Sequence, residues 1–208
     1  MRVGLLFSGG TDSTLAALLL DRFYEVELCT AHFGTESDWE HAAETASLIG
    51  LPFQSVILDS VVADRAIDRI IDHGSARPGI QAVHMAALEA IAERNYDAIA
   101  DGTRRDDRVP SVSRAQAQQL EAEHNVDYVA PLSGFGPAAV ERLVSSFLDV
   151  TIGPSDEIDR PDYEAELRAL CRERADADLA AEVFPTREQT AVTGIRGRPN
   201  EQVQARES

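Results

Sequence analysis

Lysine is missing altogether: all 19 basic residues of this 208-residue sequence are arginine, set against 36 acidic ones. A phosphate-binding loop that depends on a lysine ammonium is therefore excluded. The net charge of −17 repels phosphate backbones, which argues against generic nucleic-acid binding through a basic face. Cysteine is nearly absent. Cys29 and Cys171 are too few for a disulfide framework or for a tetra-cysteine zinc or iron–sulfur site. No apolar run approaches the roughly 18 residues of a membrane span. The start, MRVGLLFSGG, has neither the apolar length nor the small-residue cleavage site of a signal peptide. The expected setting is the cytoplasm. An acidic, lysine-free composition is also that of proteins from extreme halophiles, where salt screens self-repulsion.

With 44% hydrophobic and 26% charged residues the composition is globular, and the length suits one domain with an appendage. Apolar, β-rich runs alternate with amphipathic stretches. Strands are expected at 2–7, 25–33, 53–58, 96–102 and 126–132. Helices are expected between them, including one opened by a Ser37-x-x-Glu40 capping box, one at 60–74, one from Ile80 after the loop SARPG, and one over 136–150. Strands alternating with such helices predict a doubly wound, mainly parallel five-stranded α/β sheet of Rossmann-like type. Its first strand lies in the middle and its ligand crevice at the switch point. Past Gly153 the character changes to a polar linker PSDEIDRP, a long helical pattern to Phe184, and an arginine-containing tail that enters a short strand at 191–195. The expected division is a domain over 1–153 and a C-terminal helix and tail over 154–208. Arg196 and Arg198 in that tail are expected either to face an anion or a partner subunit's crevice, or to fray in solvent.

Ser8-Gly9-Gly10-Thr11-Asp12-Ser13 joins the first strand to its helix. Adjacent glycines let backbone N–H groups approach an anion, three hydroxyls add donors, and the helix N-terminus adds its unpaired amides and positive dipole end. Asp12 repels a bare anion but suits a divalent cation lying between carboxylate and phosphate. The segment thus reads as a polyphosphate site with Mg²⁺. It is neither G-x-x-x-x-G-K-[ST] nor G-x-G-x-x-G.

SGGTDS resembles the SGGxDS signature of the PP-loop ATP pyrophosphatases, or adenine nucleotide alpha hydrolase-like proteins, and the alternating pattern extends the resemblance to about residue 150. The family resemblance implies that the loop holds the β,γ-phosphates of ATP with Mg²⁺. An acceptor oxygen then attacks the α-phosphate, pyrophosphate leaves, and the adenylated acceptor is open to an amine or sulfur nucleophile. It further implies that adenine and ribose are read at the ends of the second and fourth strands, here Ala31-His32-Phe33 and Gly102-Thr103. The loop Gly102-Thr103-Arg104-Arg105-Asp106-Asp107-Arg108 is similar to the GTNxDD-type loop of the sulfur-insertion branch. Asp106 or Asp107 is then a further Mg²⁺ ligand beside Asp12, and Arg104 or Arg108 meets phosphate or a substrate carboxylate. Asp12, Ser13, Arg104 and Arg108 are the expected catalytic residues.

The departures bear on the acceptor. Where several thiolating members carry Cys-x-x-Cys, this chain has Ser75-Ala76-Arg77-Pro78-Gly79. Cys29 and Cys171 have the surroundings of core residues. The partners expected are ATP, a small-molecule or tRNA-base acceptor, and a second copy of the chain. The rival class is an ATP-binding regulatory or scaffold protein of the same fold. Universal-stress-like modules of that class carry a late glycine-rich phosphate site, which the late segments here lack.

Overall fold

The computed structural model describes residues 1–34, 39–154, 163–175, 177–185 and 188–198. Its central sheet holds β1 (Arg2–Leu6), β2 (Glu25–His32), β3 (Phe53–Ile57), β4 (Ala98–Ala100) and β5 (Asp127–Val129), in the order β3-β2-β1-β4-β5. Every pairing is parallel. The chain leaves β1 toward β2 and β3 on one side and later returns to β4 and β5 on the other. The switch point therefore falls beside the C-terminal end of β1, as the alternation of elements predicts. β4 and β5 are shorter than the apolar runs that announced them.

Each face of the sheet carries its own core, so β1 reads as a continuous apolar run. Val3, Leu5 and Phe7 face α1 (Thr11–Leu20), α2 (Trp39–Ile49) and α6 (Pro137–Phe147). Leu6, Cys29 and Ala31 face α3 (Ser60–His73), α4 (Arg77–Ala92) and α7 (Tyr163–Arg174). Both cysteines are buried, and neither is in a disulfide. Residues of α5 (Arg114–His124) and α8 (Ala177–Val183) complete the second core through Leu120, Ala180 and Val183.

Three sequence expectations change here. The helix expected from Ile80 begins at Arg77, because Pro78 fits the first turn, where its missing N–H costs nothing. The helix expected through Val150 ends at Phe147. From Leu148 the chain is strand β6 (Leu148–Pro154), antiparallel to β7 (Glu188–Ile195). The alternating Leu-Asp-Val-Thr-Ile run suits a ribbon once a partner exists. The long helical pattern is two helices, α7 and α8. The Ser37 capping box, residues 155–162 of the linker region, and the tail beyond Arg198 lie outside the described residues.

Arg196 and Arg198 do not fray, and both are held by groups of this chain. Arg196 Nε donates to Asp149 Oδ1 (2.6 Å) and its Nη1 to the Ser145 carbonyl (2.8 Å). Arg198 donates to Asp21 Oδ2 (2.6 Å) and to the Ile49 carbonyl. The Arg198 bonds fasten the segment after β7 to the ends of α1 and α2, the Arg196 bonds tie it to β6 and α6, and Val192 joins their core. On the other face Glu166, 3% exposed, accepts the Phe33 amide at 2.7 Å and ties α7 to the end of β2. Glu166→Ala is expected to cost about 2 kcal/mol, the worth of a hydrogen bond to a charged group. A lowered midpoint in urea unfolding checks it.

Candidate functional site

The chain turns out of β1 through Gly9, whose φ of +71° is a conformation L side chains rarely adopt. Gly10 then caps α1 without a side chain to satisfy the first-turn amides. Ser8 Oγ and Ser13 Oγ lie 3.2 Å apart, the Ser8 amide reaches Ser13 Oγ (3.3 Å), and Ser13 Oγ donates to the Gly10 carbonyl (3.2 Å). The loop is closed on itself by hydroxyls. From the far end of the chain Thr190 Oγ1 meets Thr11 Oγ1 at 3.0 Å.

β4 delivers its exit loop directly against this turn. A Cβ on Gly102 would lie 2.8 Å from the Ser13 nitrogen and 2.9 Å from its Cα, so only glycine permits the approach. Between the two loops opens a cavity of about 280 Å³. Ser8, Gly10, Thr11, Asp12 and Ser13 line one side, Ala31 the β2 end, and Gly102, Thr103 and Asp107 the β4 side. Val109, Pro110, Tyr163 and Glu164 form the remaining wall.

The other expected residues are placed differently. Gly9 turns away toward Ala42 and Thr45. His32 does not line the cavity. Its Nδ1 accepts the Gly34 amide (3.1 Å), its ring stacks on Trp39, and its buried Nε2 has no hydrogen-bond partner among the described residues. At the end of β2, where the resemblance places the adenine, the Phe33 amide is taken by Glu166. Arg104 lies among three carboxylates, 3.7 Å from Asp12, 3.3 Å from Asp106 and 3.8 Å from Asp107, and its amide donates to Asp107 Oδ2 at 2.7 Å. Asp106 and Arg108 are exposed. Among the described residues no group of three His, Cys, Asp or Glu side chains is set to hold a metal without help from a ligand.

The floor of the cavity holds a network that the sequence reading missed. Asp101, 1% exposed at the exit of β4, accepts the Thr103 amide (2.9 Å) and hydroxyl (2.6 Å) on Oδ1, and His84 Nε2 (2.8 Å) and the Tyr128 hydroxyl (3.0 Å) on Oδ2. His84, 3% exposed on α4, meets the Tyr163 hydroxyl through Nδ1 at 2.9 Å. Burial pushes the Asp101 carboxyl up, but the hydrogen bond of His84, its charge once the imidazole is protonated, and the Thr103 bonds hold it below its ordinary value. Burial and then the Asp101 charge push the Tyr128 phenol up, so it remains a donor. The available signal was Asp101 itself, an acidic residue at a strand end beside the switch point.

Fold and site together define a doubly wound α/β protein whose glycine-rich β1–α1 loop opens onto the switch-point crevice. The chain belongs to DUF7411, a family of unknown function, which matches residues 1–194. It is 40% identical over 197 residues to an uncharacterized protein of Methanocaldococcus jannaschii, covering 94% of this chain and 97% of that one. It is likewise similar to a crystal structure described as a predicted subunit of tRNA methyltransferase from Methanocaldococcus jannaschii. That match has a TM-score of 0.88 and 39% identity, and covers 95% of this chain and 99% of that chain. No helix among the described residues is long and apolar enough to cross a membrane.

Proposed function

We propose that the crevice takes ATP with Mg²⁺ and that the protein is an adenylating enzyme of the PP-loop type, forming AMP and pyrophosphate as it activates an acceptor oxygen. The observation that carries this reading is the SGGTDS turn itself. Uncapped first-turn amides, three hydroxyls and Asp12 converge at the switch point, with Gly102 pressed against them from β4. Uncapped amides suit phosphate oxygens. Mg²⁺ held by one carboxylate and substrate phosphates asks for no all-protein cluster, so the donor set fits it. Asp12, with Asp107 on the facing loop, would hold the ion. When bound, the ion supplies charge that neutralises the leaving pyrophosphate. Arg104 already gathers Asp12, Asp106 and Asp107 and keeps those carboxylates oriented. The acceptor is a small molecule or a tRNA base. The similarity to a predicted tRNA methyltransferase subunit supports a place in tRNA modification. With a net charge of −17, the contact with RNA then falls to a partner.

Product identity decides. Full-length protein in molar KCl with Mg-ATP and a cell extract supplying metabolites and tRNA is expected to give AMP and pyrophosphate. Asp12→Asn is expected to lower that rate about 100-fold or more while unfolding near the wild-type temperature, since a part-exposed pair with Arg104 is worth at most about 1 kcal/mol. ADP and phosphate as products would overturn the reading. Tight ATP binding without turnover favours a second reading, an ATP-binding subunit that scaffolds a partner, which the description of the similar structure as a subunit supports.

A further inference from the structure

We propose that Tyr163, His84 and Asp101 form a proton relay in the cavity wall, with the Tyr163 hydroxyl as the catalytic base toward the acceptor, and that the acceptor is neutral and protic. The assignment rests on the adenylation reading above and goes beyond it by naming the acceptor's chemical class. Three separate elements bring the groups together. Asp101 ends β4, His84 lies on α4 and Tyr163 opens α7, and all three line the cavity that holds the SGGTDS loop.

The direction of the relay follows from hydrogen-bond roles. Asp101 Oδ2 already accepts from Tyr128, and as a carboxylate it has no proton to give. The proton between it and His84 therefore sits on Nε2. In the neutral imidazole Nδ1 is then the acceptor, and at 2.9 Å the partner donating to it is the Tyr163 hydroxyl. The chain reads Tyr163 O–H to Nδ1, then Nε2–H to Asp101. This is the order in which a carboxylate orients a histidine that draws a proton from a hydroxyl. His84 and Asp101 are the positioning residues.

In the step the acceptor oxygen bonds to the α-phosphorus as the bond from that phosphorus to the bridging oxygen breaks, and pyrophosphate leaves with the electron pair. The acceptor's proton passes to the Tyr163 oxygen while the Tyr163 proton passes to His84 Nδ1. The imidazolium formed is held by the Asp101 carboxylate until it loses a proton to solvent. Such a relay serves an acceptor that has a proton to lose, namely a hydroxyl, an amide or a lactam. A carboxylate needs no base, and the wall also discourages one. Among the described residues Asp12, Asp101, Asp107 and Glu164 line the cavity, while no arginine does. The titratable groups around His84 are Asp101 from β4, Tyr128 from β5 and Tyr163 from α7, with Glu164 and Asp107 on the same cavity wall.

Two measurements on the full chain test the relay. Without nucleotide, ¹⁵N-histidine spectra assigned with His84→Gln are expected to show the Nε2–H tautomer at His84 and an Nδ1 signal that moves in Tyr163→Phe. With Mg-ATP and water as the acceptor, Tyr163→Phe is expected to bind ATP as wild type does but to form AMP about 100-fold more slowly. His84→Gln is expected to lose the fall in rate on the acid side of the pH profile. Acetate offered as the acceptor is expected to give no hydroxylamine-trappable acetyl adenylate. An unmoved Nδ1 signal, or a Tyr163→Phe rate within about threefold of wild type, overturns the relay and leaves adenylation standing. Trapped acetyl adenylate overturns the neutral-acceptor assignment. Wild-type protein that binds Mg-ATP yet forms no AMP overturns the adenylation reading, and the relay with it.

Discussion

Gly102→Ala is expected to lower the thermal midpoint and, on the adenylation reading proposed above, to weaken ATP binding by roughly tenfold to hundredfold. The added Cβ would lie 2.8 Å from the Ser13 nitrogen, 2.9 Å from the Ser13 Cα and 3.0 Å from the Asp12 carbonyl carbon. All three are backbone atoms of the first turn of α1, and no rotamer change relieves them. The β4 loop has to retreat, carrying Thr103 and Asp107 away from the SGGTDS side of the cavity. Overpacking of this kind costs about 1–3 kcal/mol, and each 1.4 kcal/mol is about tenfold in affinity. Equilibrium titration with a non-hydrolysable ATP analogue measures the loss. Gly134→Ala is the control, because a Cβ there meets nothing within 4 Å. Equal effects of the two substitutions would remove the steric argument.

Asp101→Ala is expected to have the largest effect on stability, about 3–5 kcal/mol. It takes the acceptor from His84, Tyr128 and both donors of Thr103 at once, in a position 1% exposed. Urea unfolding with an unchanged slope and an earlier midpoint is the expected outcome. Asp101→Asn gives the pH signature. Since the folded protein holds the Asp101 carboxyl below its ordinary value of 3.8, the charged form stabilises the fold at neutral pH. That contribution is lost as the pH falls below 3.8 and through the depressed value. Wild type is therefore more stable than Asp101→Asn at neutral pH, and the gap narrows toward low pH. A gap that stays constant from neutral pH into the acid range would contradict the charge assignment.

What the sequence disclosed and what it withheld divide along the range of the interactions. The SGGTDS turn is local: its glycines, hydroxyls and helix start sit within six residues, and the parallel sheet follows from the spacing of elements around it. The ribbon of β6 and β7 is not local. Leu148 continues the apolar spacing of Val140, Val144 and Phe147, so the segment reads as helix until Ile195, facing Leu148 across the ribbon, is considered. His84 sits in the apolar stripe Ile80, Val83, Ala87 and Leu88, where a histidine has no local mark. Its partners stand 17 and 79 residues further on. Arg196 and Arg198 show their charge in the sequence but not the carboxylates they pair with, because Asp21 lies 177 residues from Arg198.

The hydroxyl contact between Thr11 and Thr190 has a consequence in time. The two residues are 179 positions apart, a stretch that takes roughly 9 to 36 s to make at about 5–20 residues per second. The parallel sheet has all its strands once residue 129 has emerged. The SGGTDS turn, by contrast, waits for β7 to lie across α1. A nascent chain halted before that strand carries a sheet with an unbraced loop.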